Sequence, residues 1–326
     1  MSLPLSLLDL TPVSTDVSSA QAIRNAVTLA QKAEELDFRR VWYAEHHSLP
    51  GIASTAPDLM IGHVAAHTER IRLGAGGVML PNHAALRIAE AYRLLETMHP
   101  GRIDLGLGRA PGTDQRAALA LRGRENLMRN DFPTQLAELL AWGRDQEPIQ
   151  GVFAQPNDVV LPPLWLLGSS DFSARLAATA GLPYAFASHF SPSPPDLPMS
   201  QYRDGFRPGE TDAPYAILAV SAFVAETRAE AEDFARPSLV SFVRLRTGRP
   251  ILPPSAEQAR SYTFSPLEAQ VAEVIQSMQH VGTPDQVVPR IRALAERTRA
   301  DEVMVVTNAS DIARRVRSYE LFAEAW

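Results

Sequence analysis

This 326-residue chain predicts an α/β protein folded as a closed (β/α)8 barrel, and three features lead there. Short apolar runs alternate with segments of helical period almost end to end, which is the signature of parallel β/α units. The strand-like runs number eight, the count that closes a barrel of this kind. No Gly-rich fingerprint follows the first run, where Asp9-Leu10-Thr11-Pro12-Val13 lacks glycine, so a doubly wound nucleotide-binding sheet is the weaker expectation.

In chain order the strand-like runs are Leu3 to Leu10, Arg40 to Ala44, Ile71 to Val78, Ile103 to Gly108, Leu164 to Gly168, Tyr184 to Ser188, Tyr215 to Val224 and Glu302 to Thr307. Their Val, Ile, Leu and aromatic content suits strands covered on both faces. Between them, Ala22, Ala26, Leu29, Ala33 and Leu36 recur at three- and four-residue spacing. So do Ile88, Ala91, Leu95 and Met98, then Val287, Ile291 and Leu294, then Ile312, Val316 and Tyr319. Such stripes mark helices packed outside a sheet. Thr283 with Pro284 reads as a helix N-cap followed by proline at the first helical position.

A barrel of this type takes about 250 residues, so about 75 remain for insertions. Spacing puts them after strand four (Arg109 to Pro163), after strand six (the Pro-rich Ser191 to Pro214) and after strand seven (Ala225 to Asp301). Ser191 to Pro214 and Arg249 to Pro266 hold so many prolines that neither is expected to contain a regular helix. Each is either a stiff surface connection or a cover over the reactive face. No repeat beyond the β/α unit and no linker is visible, so residues 1–326 are expected to form one barrel domain.

Composition narrows the function. Lys and Arg number 31 against 37 Asp and Glu, a net charge of −6, so no basic excess announces nucleic acid or an anionic membrane as partner. The chain has no cysteine, which excludes disulfides, thiolate metal sites, iron–sulfur clusters and cysteine nucleophiles. Lys32 is the sole lysine, so Schiff-base chemistry inside a barrel is not expected. Met1 to Leu10 is too short and lacks the basic flank of a secretory signal. No run reaches the roughly 18 apolar residues of a spanning helix. The expectation is a soluble, cytoplasmic protein.

Barrel chemistry sits at the C-terminal ends of the strands, which reduces the search to eight windows. After strand two comes Ala44-Glu45-His46-His47. Two adjacent imidazoles there point to proton transfer near neutral pH, with Glu45 fixing a tautomer or shaping the floor. After strand three comes Gly74-Ala75-Gly76-Gly77-Val78-Met79-Leu80-Pro81-Asn82-His83. Glycines at a strand end mark either a bulge or the close approach of a backbone or flat ligand. After strand five, Gly168-Ser169-Ser170-Asp171-Phe172-Ser173 opens a helix, where free N–H groups suit a phosphate, unless Ser170 or Asp171 simply caps it. The charge of Asp171 would compete with an anion. Arg109, directly after strand four, can offset it as a planar fork.

These windows, together with Pro100-Gly101-Arg102-Ile103-Asp104-Leu105-Gly106-Leu107-Gly108-Arg109, resemble the bacterial luciferase-like, flavin-dependent monooxygenases. The likeness runs from Leu7 to about Phe190 and resumes at Gly282-Thr283-Pro284, closest to the short branch carrying single-component annotation. It implies a barrel that binds reduced FMN (FMNH2), with the ring over strands two to four and the phosphate near strands four and five. His46 matches the family's catalytic histidine, with Glu45 and His47 beside it. Gly76 and Gly77 fall where the family carries a cis peptide beneath the ring, next to Met79. Arg109, Ser169 and Ser170 match phosphate contacts, with Gly168 and Ser173 in the same turn. Gly168 stands where the luciferase pattern has an acidic residue.

The resemblance thus implies oxygenation of a small organic substrate with O2. No second dinucleotide fingerprint is present, so a separate flavin reductase is expected to supply FMNH2. The two rival readings are F420-dependent hydride transfer on the same fold and a non-catalytic flavin-binding protein or subunit. A homodimer is implied through the outer helices near strands two and three, with Ala65, Ala66 and Ala89 allowing close packing. Phe190, Tyr202, Phe206, Tyr262 and Phe264 in the insertions hint at an apolar substrate. His63 and His67 stand at i, i+4 but lack the acidic partner of a metal motif, and no metal is expected. Arg314, Arg315 and Arg317 read as a solvated face.

Overall fold

The computed structural model describes residues 3–110, 112–126 and 131–326; Pro111, in the window after strand four, lies outside them. Its strands are β1 (Leu5–Asp9), β2 (Arg40–Tyr43), β3 (Arg72–Ala75), β4 (Val78–Met79), β5 (Ile103–Gly108), β6 (Leu164–Gly168), β7 (Tyr184–Ala187), β8 (Ala216–Val224), β9 (Gln279–Gly282) and β10 (Glu302–Val306). The pairings between strands are parallel and run β10-β1-β2-β3-β5-β6-β7-β8, and β10 pairs back onto β8. That closes an eight-walled barrel. The third wall is made of β3 and β4, separated by a cis Gly76–Gly77 peptide, and β4 continues the pairing with β5.

The helices are α1 (Ser19–Glu35), α2 (Pro57–Ala65), α3 (Ala85–Met98), α4 (Gln115–Asn126), α5 (Phe132–Gly143), α6 (Asp171–Ala180), α7 (Asp196–Asp204), α8 (Arg228–Arg246), α9 (Ala256–Ser261), α10 (Pro266–Ser277), α11 (Pro284–Arg297) and α12 (Ile312–Ala325). α4 and α5 fill the insertion after the fourth wall, α7 that after the sixth, and α8 to α10 with β9 much of that after the seventh. The last of these has its own small core of Leu239, Val243, Ala272 and Ile275.

Strand alternation sorts the side chains. Leu8, Trp42, Ala44, Trp165, Ala185, Ile217, Ala219 and Met304 point inward and fill the barrel. Their neighbours Leu7, Val41, Tyr43, Leu166, Tyr184, Phe186 and Val303 pack outward against the helices. At the N-terminal end the barrel is plugged by charge. Arg40 bridges Glu302 (Nε–Oε1 2.9 Å) and Asp104 (Nη1–Oδ2 2.7 Å), and its guanidinium lies over the Trp165 ring at 4.7 Å. Arg72 and the Trp42 indole donate to Asp104, and Ser6 and Tyr215 donate to Glu302.

Several expectations need correction. The insertions expected to lack helices contain α7 and α9. In α7 the proline is Pro198, in the first turn, where a backbone N–H has no intrahelical acceptor to lose. α9 begins beyond the prolines with a Ser255–Gln258 capping box. β9 carried no readable signal: Gln279-His280-Val281-Gly282 is short and partly polar, and it forms because nine-residue β8 extends past β10. Ala65 and Ala89 are buried at 2% and 0% exposure, so they are core, and the exposed apolar residues of α2 and α3 are Leu59, Leu94 and Met98. Arg315 is no solvated face: it is 2% exposed and bonded to Asp9 at 2.9 Å. Tyr202 is buried, its hydroxyl donating to the Leu182 carbonyl, and Phe206 packs against the same core.

Candidate active site

Parallel strands put all their C-terminal ends at one mouth, so the windows after β2, β4, β5, β6 and β7 converge there. Alternation then divides the triplet after β2. Trp42 and Ala44 point inward, so His46 follows them, while Glu45 and His47 turn outward with Val41 and Tyr43. The His46 backbone is pinned: its N–H donates to the Ser54 carbonyl at 3.1 Å, and the buried Ser54 hydroxyl donates to Ala44 O at 2.6 Å. Its Nδ1 is buried without a hydrogen-bond partner among the described residues. Burial pushes the ring down to about 4, against the opposing pull of the Glu45 charge, so it is a neutral imidazole at pH 7.

Glu45 bonds His47 of the same triplet and reaches beyond it to a cluster around Met79 and His83. Among the described residues its hydrogen bonds go to His47 Nε2 (2.8 Å), His83 Nε2 (2.9 Å), Asn82 Nδ2 (3.3 Å) and the Met79 N–H (2.9 Å), and none goes to His46. Although burial opposes ionisation, His83, His47 and the Met79 amide together hold the carboxyl below its usual range. Glu45 therefore fixes the backbone just after the cis peptide. His47 carries that anchorage onward, since its N–H donates to Gly112 O at 3.1 Å and its carbonyl accepts from Thr113 at 2.7 Å. His83 was not singled out in the sequence, and its signal is its place four residues after Met79 in the same glycine-rich window.

The glycines of the third wall answer to packing from within. A Cβ on Gly76 would lie 2.6 Å from Leu8 Cδ1 and 3.0 Å from Trp42 Cβ, so the filled barrel interior, with the Trp42 indole in it, demands glycine there. A Cβ on Gly77 would meet the Gly106 carbonyl at 2.8 Å. Met79 lies against Gly108 of the next wall.

At the turn into α6, Ser170 occupies the N-cap position yet makes no side-chain cap hydrogen bond. Asp171 does not replace it, because its carboxylate turns outward to Arg175 at 2.7 Å. The first N–H groups of α6 are thus left for another acceptor. Gly168 is required by Ser173, whose Oγ would stand 1.9 Å from a Cβ there. That hydroxyl bonds the Ser170 carbonyl at 3.0 Å and Tyr184 OH at 3.3 Å, so Ser173 braces the turn. Arg109 reaches the same place from the end of β5, its guanidinium 4.2 Å from the ring centroid of Phe172. Ser169 points inward by alternation, and its carbonyl accepts from Ser191 Oγ at 3.4 Å.

Two further inward groups at the rim escaped the sequence reading. His189, two residues past β7, has a buried Nδ1 without a partner, and burial pushes it to about 4. Asn308, two residues past β10, has a buried, unpartnered Oδ1. A cover spans these ends. Arg246 at the close of α8 donates to the Phe190 carbonyl at 3.2 Å, while Pro253 and Ser255 bond Thr15 beyond β1.

The fold thus gathers at one rim of a (β/α)8 barrel an uncapped helix start and the unpartnered polar atoms of His46, His189 and Asn308. The chain belongs to the luciferase-like monooxygenase family, whose model matches residues 3–302, and it is an enzyme of the monooxygenase class. It is 41% identical to a luciferase-like monooxygenase of Escherichia coli, over 97% of this chain and 95% of that one. It is 32% identical to the N-acetyl-S-alkylcysteine monooxygenase of Bacillus subtilis, over 98% and 97%. The crystal structure of apo-MsnO8 superposes with a TM-score of 0.85 at 34% identity, covering 99% of this chain and 98% of that one. At 19% and 15% identity, an FMN complex of a Baeyer–Villiger monooxygenase component from Pseudomonas putida and an F420-dependent alcohol dehydrogenase share the fold, with TM-scores of 0.72 and 0.68.

Proposed function

We propose that the enzyme binds FMNH2 delivered by a separate reductase and uses O2 to oxygenate a small organic substrate. The observation that carries this reading is the convergence of a neutral, unpartnered His46 and an uncapped helix start with Arg109 beside it at a single barrel mouth. The N–H groups of α6, Ser169, Ser170 and Arg109 would hold the phosphate. Gly76, Gly77 and Met79 would form the bed of the ring, kept in place by Glu45. Reduced FMN bound there supplies the electrons that activate O2. His46, held neutral at pH 7 by burial, would offer a ring nitrogen as a hydrogen-bond donor or acceptor to the reacting atoms, and the cover from α8 to α9 would keep water out.

The named relative that acts on N-acetyl-S-alkylcysteines makes such thioethers the first substrates to try. The test is a pair of fluorescence titrations with FMN and with F420, followed by photoreduced FMN, O2 enriched in oxygen-18 and the thioether. FMN binding and heavy oxygen in the product are expected. Tight F420 binding with no oxygen incorporation overturns the reading in favour of hydride transfer.

A further inference from the structure

We propose that His189 is a second ligand-facing imidazole of this site, set on the wall opposite His46 so that the molecule occupying the mouth lies between the two rings. The proposal rests on the functional reading above for where the ligand sits, and on independent geometry for the pairing. β2 is the second of the eight walls and β7 the sixth, four steps apart in a ring of eight, hence opposite one another. On β7, Ala185 points into the barrel while Tyr184 and Phe186 face the helices, and the two-residue period carries His189 inward.

The His189 backbone is held by its N–H donating to Ala219 O at 3.0 Å on the neighbouring wall. Its ring stands edge-on to Phe190, 4.7 Å between centroids at 89°. So fixed, it leaves Nδ1 buried and, among the described residues, without a well-aligned partner, the Ala219 carbonyl beside the ring drawing protons to it against the effect of burial; His46 Nδ1 and Asn308 Oδ1 are likewise buried and unpartnered among the described residues at the same rim. Buried polar atoms without partners are costly, and three of them converging on one opening mark where a ligand makes their hydrogen bonds. The pair is also within electrostatic reach: charge on His46 lowers the proton affinity of His189. The other ionisable groups nearby are Glu45 and His47, behind His46, and Arg246, engaged with the Phe190 carbonyl.

Neutral at pH 7, each ring can donate from one nitrogen and accept at the other. Glu45 and His83 stabilise the cofactor side of the mouth. His189 and Asn308, on the walls across from it, therefore face the substrate, and they suit an uncharged hydrogen-bonding group on it.

The experiment places a carboxylate where His189 stands. In His189→Asp, a facing His46 should titrate at least about one pH unit higher, read by NMR of isotope-labelled histidine in the apo protein. His189→Gln, which keeps a polar side chain without the charge, should leave the His46 midpoint near that of the wild type. Both variants should bind FMN within about threefold of wild type, since the phosphate grip is elsewhere, while the pH midpoint for reoxidation of bound FMNH2 by O2 moves in His189→Asp. An unmoved His46 midpoint in a folded His189→Asp protein overturns the proposal. If His189→Asp does not fold, His189→Glu supplies the same charge, and His46→Asp should likewise raise the His189 midpoint. Failure of wild-type FMN binding would sink the functional reading alone, because the NMR shift is measured without flavin.

Discussion

The two ends of this barrel are both polar, yet they treat polarity in opposite ways. At the floor, Arg40, Arg72, Asp104 and Glu302 are bonded to one another and to Ser6, Trp42 and Tyr215. At the mouth, His46, His189 and Asn308 each present a buried atom with nothing to bond. A bonded network holds walls together, though even at the floor the Trp165 indole N–H beneath Arg40 is unpartnered among the described residues; under the proposed function, the unpartnered groups at the mouth bond the ligand. The same strand alternation builds both, so the difference lies in partners and not in the elements that carry them.

Substitutions should separate the two ends. His46→Asn is expected to cut turnover by about 10²–10⁴-fold, the usual worth of a positioned acid–base group, with the melting temperature almost unmoved. Steady-state rates and thermal melts on the same preparation check both halves. Arg40→Met should do the reverse. It strands Glu302 in the interior, with Asp104 left to Arg72 and Trp42, and is expected to cost about 3–5 kcal/mol in urea unfolding, while activity per folded molecule is retained. If Arg40→Met instead abolished turnover in well-folded protein, the floor would belong to the site.

Three smaller tests sharpen the contrast on the mouth side. Gly168→Ala drives a methyl into Ser173 Oγ and releases the brace on the Ser170 carbonyl, so about 1–3 kcal/mol of stability should be lost and FMN affinity reduced with it, both seen by titration and melting. Acid should act gradually. Burial holds His46, His189 and His280 at about 4, whereas an unfolded histidine titrates near ~6.5. Above that value folded and unfolded chains bind equal protons at these sites. As pH falls toward 4 only the unfolded chain gains them, so stability should decline by up to about 1.4 kcal/mol per pH unit for each histidine. Urea midpoints measured from pH 7 to 4.5 check the sign, and His46→Asn should flatten the slope. Smallest of all, Arg109→Met should weaken FMN binding by about threefold to tenfold without lowering the melting temperature, because only its stacking on Phe172 and its charge are lost.

The eight walls were legible because each is a short apolar run bounded by a helical period, and their burial on both faces leaves little room for polar interruption. The cis peptide position and the rim windows were legible through the resemblance. Partnerships were not. Nothing in Ala44-Glu45-His46-His47 says that Glu45 serves His83, thirty-eight residues away, because that contact is made by the third wall folding back beside the second. His189 and Asn308 were missed for a related reason: a lone histidine or asparagine past a strand carries no spacing signal, and only closure of the barrel brings them opposite or beside His46. Arg315 misled because a buried ion pair to Asp9 depends on the first and last units of the chain meeting.

The stretch between β8 and β10 is moored at Phe190 on one side and at Thr15 on the other. It frames the mouth from the β7 side and from the β1 side. Residues added or removed in its loops outside β9 would change the aperture and leave the eight walls of the barrel in register. Under the proposed function, such edits would alter which molecules enter without touching His46, Glu45 or the turn into α6.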